Sequence, residues 1–333
     1  MKTRLFVVFA SLLMCLTAGA LTVETITYAE RDSALKMDVY FPDDTLSEHP
    51  CLIFAFGGGF RNGTRNSSDI VSAMNNIAKR GIVCAAIDYR LGLKNKSFKN
   101  PIESLPYLVT SVEMATEDML AAGAYIYTNA EALKVDKNLI MASGSSAGAI
   151  MSLQADYYLH SNNEMAADLP SGFKFAGVLS FAGAVTSFGD RIKYTSQPAP
   201  TFFVHGTKDK LVPYTHMSVA GKGMYGSDYL VDVFKKNGWR YEILRYENFG
   251  HEVSWIGIKE NIPEILMFIE RFVLNKGSEA RYGASLDITR KEPGVKKPLW
   301  QINGLNLYKK GENPTVAKDS AQIKRLYGEI NIP

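Results

Sequence analysis

The stretch Gly144-Ser145-Ser146-Ala147-Gly148 connects the apolar run Asn138-Leu139-Ile140-Met141-Ala142 to an alanine-rich helical run. A G-x-S-x-G pentapeptide between a strand and a helix is the pattern of a nucleophile elbow. The central serine of such an elbow sits on a tight, strained turn, where side chains two residues to either side would collide with neighbouring elements. Ser146 is therefore the predicted nucleophile. Ser145 is a rival hydroxyl, but it does not lie midway between the two glycines.

A second glycine-rich turn follows an earlier apolar run. The residues Cys51-Leu52-Ile53-Phe54-Ala55-Phe56 lead directly into Gly57-Gly58-Gly59-Phe60. Consecutive glycines expose backbone N–H groups to a substrate oxygen without obstruction from side chains. We predict that the amides of Gly58, Gly59 and Ala147 form an oxyanion hole. A flexible loop or a phosphate-binding turn is the alternative, but no Lys-Ser or Lys-Thr pair follows at P-loop spacing.

The acid and the base are expected after the serine, in the order Ser…Asp…His. Asp209 lies in a turn-rich loop after the apolar run at 200–205, at the carboxyl end of a predicted strand, where open α/β sheets place their sites. His251 lies beside a glycine in the loop after the strand predicted at 241–246. We therefore predict Asp209 as the acid and His251 as the base. The competing carboxylates are Asp228, Asp232 and Glu247, and also Glu252, for which a surface or loop-pairing role is expected.

Four other histidines compete with His251 for the role of base. His49 precedes the third predicted strand and His160 ends the elbow helix, so neither is in the expected position. His205 directly precedes Gly206 and is expected to support the loop of the acid. His216 is expected at the surface, near the start of a helix.

In their order along the chain, these motifs resemble those of α/β-hydrolase-fold serine esterases. The resemblance is to bacterial carboxylesterases related to hormone-sensitive lipase and to esterases that trim plant polysaccharides. The motifs that carry it are Gly57 to Phe60, Asp88-Tyr89-Arg90-Leu91, Gly144 to Gly148, His205-Gly206-Thr207-Lys208-Asp209 with Val212-Pro213, and Gly250-His251-Glu252. Together they cover roughly residues 24–275.

The resemblance implies an α/β fold with a mostly parallel central sheet, flanking helices and little or no cap domain. It also implies that Ser146, Asp209 and His251 form a catalytic triad. The chain departs from the family at one position, because Phe56 stands where the oxyanion motif usually begins with histidine. The glycines still supply the amides, but the sequence leaves open how their loop is held.

Apolar periodicity predicts the remaining elements. The expected strands are at 23–28 and 35–41, which form a starting hairpin or meander, and at 82–89 and 175–185. The expected helices are at 67–80, 109–128 and 218–237. Little chain lies between Ser146 and Asp209, so we expect no large cap and an open site. The polar segment 91–107 is either a partial lid or a solvated loop.

The chain begins with the pattern of a secretory signal peptide at 1–20. Lys2 and Arg4 precede an apolar stretch, which ends in the small-x-small site Ala18-Gly19-Ala20. Cleavage there predicts a secreted or periplasmic protein. A membrane anchor is the first alternative, although the apolar stretch is shorter than a spanning helix requires. A lipoprotein anchored at Cys15 is the second alternative.

The expected domain organisation has two parts after the signal peptide. A catalytic domain is predicted at 21–275. A C-terminal extension at 276–333 either packs back over this domain or is partly disordered. A chain of 333 residues with 46% hydrophobic residues is large enough for one substantial core.

Charge and cysteine usage limit the expected partners and cofactors. The net charge of +3 is too small to indicate nucleic acid binding. Cys51 and Cys84 fall in predicted buried strands, where thiols serve more often as apolar filler than as ligands. Since no C-x-x-C pair or histidine-rich cluster indicates a metal, we expect chemistry without a metal or other cofactor.

The sequence therefore predicts a secreted serine carboxylesterase that acts on short-chain esters. Acetyl or feruloyl groups on plant polysaccharide are the candidate substrates, and these follow from the resemblance and the predicted export. Two alternatives remain open: a serine peptidase of the same fold and a non-catalytic binding protein on a hydrolase fold.

Overall fold

The computed structural model describes residues 21–187, 191–219, 221–274 and 285–291. The predicted signal peptide at 1–20 and most of the extension at 276–333 lie outside these ranges. The strands are β1 (Val23–Glu30), β2 (Ala34–Tyr40), β3 (His49–Ala55), β4 (Val83–Ile87), β5 (Val135–Ser145), β6 (Gly177–Phe181), β7 (Ala184–Ser187), β8 (Thr201–Gly206), β9 (His216–Val219), β10 (Lys222–Gly226), β11 (Tyr241–Glu247) and β12 (Leu286–Lys291).

A nine-stranded sheet with the order β1-β2-β4-β3-β5-β6-β8-β11-β12 forms the centre of the molecule. The hairpin β1–β2 is antiparallel, as predicted, and β2 also pairs antiparallel with β4. The pairings from β4 onward are parallel. Every residue of β4, β6 and β8 is buried, because helices cover both faces of a parallel sheet.

The helices are α1 (Ser68–Ala78), α2 (Pro101–Thr128), α3 (Ala147–Leu159), α4 (Ser227–Asn237), α5 (Val253–Glu260) and α6 (Ile262–Phe268). A short 3-10 turn at Glu164–Ala166 follows α3, and a π-helical turn at Ile269–Val273 follows α6. Helix α2 packs against α3, whereas α5 packs against both α1 and α6. Within the ranges that the structure describes, no helix combines the length and the apolar character needed to cross a membrane.

Helix α2 begins earlier than the sequence predicted. The helix was expected from Val109, with 91–107 as a loop or lid, but it already starts at Pro101. The side chain of Asn100 caps its N-terminus by accepting a hydrogen bond from the Glu103 amide at 3.0 Å. Proline suits the first helical position because its missing N–H would have no partner there. The second proline, Pro106, lies inside the helix and made this segment look irregular.

A small three-stranded antiparallel sheet, with the order β7-β10-β9, corrects two further predictions. The strand expected at 175–185 is interrupted at Ala182, whose φ of 57° turns β7 away from β6. The helix expected at 218–237 begins only at Ser227, because the hairpin β9–β10 comes first. Its tight turn includes Gly221 with a φ of +74°, a conformation that disfavours a helix.

The described part of the C-terminal extension pairs with the main sheet. Strand β12 runs parallel to β11. The Arg290 guanidinium is buried, and it donates hydrogen bonds of 2.8 Å to Tyr246 Oη and to Asn261 Oδ1. This strand forms an edge of the sheet that no pattern in the sequence predicted.

Candidate active site

Ser146 occupies a sharp turn between β5 and α3. Its φ of 52° and ψ of −114° are strained for a residue that is not glycine. The flanking glycines are required by close backbone approach: a Cβ on Gly144 would lie 2.3 Å from the Gly148 carbonyl carbon, and a Cβ on Gly148 would lie 2.1 Å from the Ala55 carbonyl oxygen. The neighbouring hydroxyl of Ser145 points elsewhere and donates to the Ser254 carbonyl at 2.6 Å.

The structure brings the three predicted triad residues into one hydrogen-bonded chain. Ser146 Oγ lies 2.8 Å from His251 Nε2. On the other side of the imidazole ring, Nδ1 lies 2.7 Å from Asp209 Oδ2. The Asp209 side chain is fully buried, whereas the His251 ring is partly exposed. This arrangement can move a proton from the serine hydroxyl to the imidazole, whose ring the carboxylate orients.

The Asp209 carboxylate is held by four donors. Its Oδ1 accepts the backbone amides of Leu211 and Val212 at 2.9 Å and 3.0 Å. Its Oδ2 lies near His251 and also 3.3 Å from His205 Nε2. Burial alone would raise the pKa of this carboxyl, but the hydrogen bonds from His205 and His251 outweigh burial and hold the pKa well below its ordinary value. The acid of the triad therefore stays ionised.

His205 supports this loop, as its sequence position suggested. The ring is fully buried; its Nε2 lies 3.2 Å from the Val212 carbonyl as well as near Asp209, and its Nδ1 lies 2.8 Å from Ser227 Oγ. Because two acceptors face Nε2, we assign the proton to that nitrogen, with Ser227 donating to Nδ1. Ser227 was not identified from the sequence, since it begins α4 far along the chain and belongs to no motif.

The competing residues lie outside the hydrogen-bonded chain. Asp228 pairs with Arg245, and Asp232 lies exposed on α4. Glu252 accepts the Gly250 amide at 2.9 Å, which is the loop-pairing role expected for it. The remaining candidates are His49, which is buried at the start of β3, His160, which follows α3, His216, which is exposed on β9, and Glu247, which ends β11.

The three predicted oxyanion residues line one cavity with Ser146 and His251. Within the described ranges, the amides of Gly58 and Gly59 donate to no protein acceptor, so they are available to a substrate oxygen. The carbonyl of Gly58 instead accepts the amides of Arg61 and Asn62, which close the loop into a tight turn. Ala147 begins α3, and its amide is one of the unpaired donors at a helix N-terminus.

An aromatic pair holds the oxyanion loop where the usual histidine is missing. The rings of Phe56 and Tyr89 stack with centroids 4.5 Å apart, and Tyr89 Oη donates to the Phe56 carbonyl at 2.9 Å. Phe60 packs edge-on against the same tyrosine at 6.3 Å. Tyr89 belongs to the Asp88-Tyr89-Arg90-Leu91 motif, so two of the recognised motifs meet here.

The site opens into a cavity of about 450 Å³. Its walls are largely apolar, and the residues predicted from sequence motifs lie at its catalytic end. Phe60 and Val212 belong to the motifs recognised in the sequence, and the apolar lining residues outside those motifs are Leu108, Ile150, Leu211, Met224 and Trp255. Leu211 and Trp255 follow Asp209 and His251 closely in the chain, so proximity to those motifs was the available signal. Nothing in the sequence marks Leu108 or Met224.

Comparisons with known proteins agree with this architecture. The family model BD-FAE, an α/β-hydrolase-like domain, matches residues 37–190. None of the curated proteins matches the chain significantly. Among solved structures, propionate-bound esterase Est2 from the planctomycete Thermogutta terrifontis is 22% identical with a TM-score of 0.55, covering 77% of this chain and 97% of that chain. The same esterase phosphorylated by paraoxon is 20% identical with a TM-score of 0.52, covering 74% and 94%.

The fold and the site together define a class. The predicted α/β-hydrolase fold is confirmed, as is the resemblance to serine esterases of that fold. The chain has the α/β-hydrolase fold, and Ser146, His251 and Asp209 are arranged in it as in a serine-hydrolase triad, which is the kind of site that the sequence predicted.

Proposed function

We propose that this enzyme is a carboxylesterase in which Ser146 is the nucleophile, His251 the general base and Asp209 the acid. One observation carries the proposal. Ser146 and His251, the first two members of the hydrogen-bonded chain that leads to the buried Asp209, line the same cavity as Gly58, Gly59 and Ala147. A carbonyl carbon beside Ser146 therefore has a nucleophile and oxyanion donors within one small space.

The mechanism follows from these positions. Ser146 Oγ attacks the ester carbonyl while His251 Nε2 accepts its proton, and Asp209 stabilises the imidazolium. The three amides bind the oxyanion of the tetrahedral intermediate, and each well-placed donor lowers the barrier by about 3 kcal/mol. His251 then protonates the leaving alcohol. Water hydrolyses the acyl-enzyme in the second half of the reaction, again with His251 as base.

For the substrate, we propose short-chain esters, with acetyl or feruloyl groups on plant polysaccharide as candidates. Thermogutta terrifontis Est2, which shares this fold, has been solved with propionate and with butyrate bound, and this supports a short acyl group in the proposal. The segment after the oxyanion glycines, Arg61-Asn62-Gly63-Thr64-Arg65-Asn66, is polar, which suits a hydrated polymer better than a lipid surface.

A p-nitrophenyl ester series from two to twelve carbons tests the acyl preference. We expect kcat/KM to be highest between acetate and butyrate. A maximum at eight carbons or more, or activation at a micellar interface, would contradict the proposal. Release of acetate and ferulate from intact xylan then separates the two candidate substrates, and a proline-ended peptide anilide tests for peptidase activity.

We also propose that the enzyme is exported and acts outside the cytoplasm. The supporting pattern is the basic start, the apolar stretch and the small residues Ala18-Gly19-Ala20 within 1–20. Mass spectrometry of the mature protein is the test. A mature N-terminus at Leu21 supports export with ordinary cleavage. A chain that begins with a lipidated Cys15 would point to anchoring instead.

A further inference from the structure

His251 lies in a segment of chain whose two ends are at Tyr246 and Asn261. Tyr246 lies near the end of β11, and Asn261 is the residue between α5 and α6. Between these ends the chain turns, places the imidazole ring and forms α5, and the amide of Ser254 in its first turn donates to the His251 carbonyl at 3.0 Å. The position of the imidazole therefore depends on what holds the two ends of this segment.

The Tyr246 end is also connected to the loop that carries the acid. The Tyr246 carbonyl accepts the Thr207 amide at 3.0 Å, and the Phe249 carbonyl accepts the Lys208 amide at 2.8 Å. The rings of Tyr246 and Phe249 pack edge to face, with centroids 5.5 Å apart. Because Thr207 and Lys208 directly precede Asp209, a shift of Tyr246 would change the geometry between the acid and the base.

One guanidinium from the C-terminal extension binds both ends of the segment. Arg290 on β12 lies directly opposite Tyr246 in the parallel pairing with β11. It donates hydrogen bonds of 2.8 Å to Tyr246 Oη and to Asn261 Oδ1, and Tyr246 Oη donates to the same Asn261 oxygen at 2.9 Å. The Nδ2 of Asn261 donates to the Gly257 carbonyl at 2.9 Å, in the last turn of α5. The two ends of the segment are therefore joined to each other and to the edge strand.

The charge and the burial of this contact require an arginine. The side chain of Arg290 is buried, and its Nη2 donates to the buried carboxylate of Glu264 on α6. A guanidinium presents its donors in fixed directions and can serve several acceptors at once, whereas an ammonium is a compact charge on a flexible stem. A charge in the interior is tolerated only where it is paired, so the contact with Glu264 keeps the guanidinium in place between Tyr246 and Asn261.

We propose that Arg290 is a positioning residue for the catalytic histidine, so that strand β12 of the C-terminal extension supports the active site. Arg290 does not contact the reacting atoms and acts through Tyr246 and Asn261. This inference rests on the proposed function, because that function makes His251 the general base.

The first test replaces Arg290 in the full-length protein. Arg290→Lys keeps a positive charge opposite Glu264 but loses the fork of donors. We expect kcat for p-nitrophenyl acetate to fall about tenfold and KM to change less than about twofold, because the base is misplaced while the binding cavity is intact. Asp287→Asn is the matched control, since Asp287 on the same strand pairs with Lys235 and Arg245 rather than with the ends of the segment. Its kcat should stay near wild type, and an equal loss in the two variants would overturn the positioning role.

A milder variant tests the same contact without changing any charge. Tyr246→Phe keeps the ring and removes only the hydroxyl between Arg290 and Asn261, so kcat should fall about threefold. The double variant Arg290→Lys/Tyr246→Phe should have the kcat of Arg290→Lys, because both changes act through one contact. Losses that multiply would contradict the inference. If Arg290→Lys does not fold, Tyr246→Phe carries the test, and an unchanged kcat would overturn the inference.

Hydrogen exchange without turnover separates this inference from the proposed function. In Arg290→Lys we expect faster amide exchange in peptides that cover 247–260, and in Asp287→Asn we expect no change there. Faster exchange together with the loss of kcat supports the inference. Unchanged exchange, or faster exchange with an unchanged kcat, would overturn it and leave the esterase intact. A wild-type enzyme that does not hydrolyse p-nitrophenyl acetate would overturn the proposed function instead.

Discussion

The two halves of the active site are held in place by different forces. On the triad side, hydrogen bonds to one buried carboxylate fix His251, and each of them depends on a particular atom. On the oxyanion side, the glycine loop is fixed by its own tight backbone and by the stacked rings of Phe56 and Tyr89. A change of one atom on the triad side should therefore abolish activity. A change on the oxyanion side should lower activity in proportion to how far the glycine loop moves.

The largest effect is expected at the nucleophile. Ser146→Ala should lower kcat by about 10⁶-fold, because the triad residues act as a unit. The same variant should no longer react covalently with a fluorophosphonate. Ser145→Ala is the matched control, since its hydroxyl donates to the Ser254 carbonyl and not to the triad, and it should keep its labelling. Labelling that persists in Ser146→Ala would show that another residue is the nucleophile.

A nearly isosteric change tests the buried carboxylate. Asp209→Asn should lower kcat by about 10⁴-fold, because an amide can hold the imidazole in the wrong tautomer and cannot stabilise the imidazolium. Asp232→Asn removes the same charge from an exposed position on α4 and should leave kcat near wild type. Steady-state kinetics on p-nitrophenyl acetate decides between them. If Asp232→Asn proves to be the impaired variant, the triad derived from the geometry is wrong.

Adding one methyl group to the glycine loop tests the oxyanion side of the active site. A Cβ on Gly58 would lie 1.9 Å from the Asn62 carbonyl oxygen, so the turn must open and misplace the donors. We expect Gly58→Ala to lower kcat by about 10²–10³-fold, the effect of losing one donor. Gly59→Ala has no atom within 4 Å and meets only the strain of a φ of +62°, so its loss should be about tenfold or less. Equal losses in the two variants would contradict this account of the loop.

The same contrast explains what the sequence could predict. The elbow, the glycine turn and the order of Ser146, Asp209 and His251 are local motifs at strand ends, and a parallel sheet brings such ends to one edge. The walls of the cavity have no local motif. Leu108 is one apolar residue on a long helix, and Met224 lies in a hairpin that resembled a helix. Periodicity identifies buried faces but not which segments meet across a cleft.

The sequence also did not predict the ends of helices and strands that depend on unusual backbone conformations. Proline at 106 suggested a loop, although α2 accommodates it within its first turns. Ala182 takes a left-handed backbone conformation, which an alanine in the sequence does not predict. This conformation separates β6 from β7. The sequence also left open what holds the oxyanion loop in place. This support depends on a contact between residues 56 and 89, which only the paired strands β3 and β4 bring together.

The smallest effect on turnover is expected when the contact between Tyr89 and Phe56 loses the tyrosine hydroxyl. Tyr89→Phe keeps the ring stack but removes the hydrogen bond of 2.9 Å to the Phe56 carbonyl, at a cost of about 1 kcal/mol in stability. If the bond also positions the donors, kcat should fall about threefold to tenfold with little change in KM. Tyr28→Phe is a close control, because it removes another buried tyrosine hydroxyl that donates to a backbone carbonyl, that of Asp88. The midpoint of thermal unfolding, Tm, should fall by roughly 2–4 °C in both variants, since both lose a buried hydrogen bond. Only Tyr89→Phe should also lose turnover. Equal kcat values in the two variants would mean that stacking and glycine geometry alone hold the oxyanion loop.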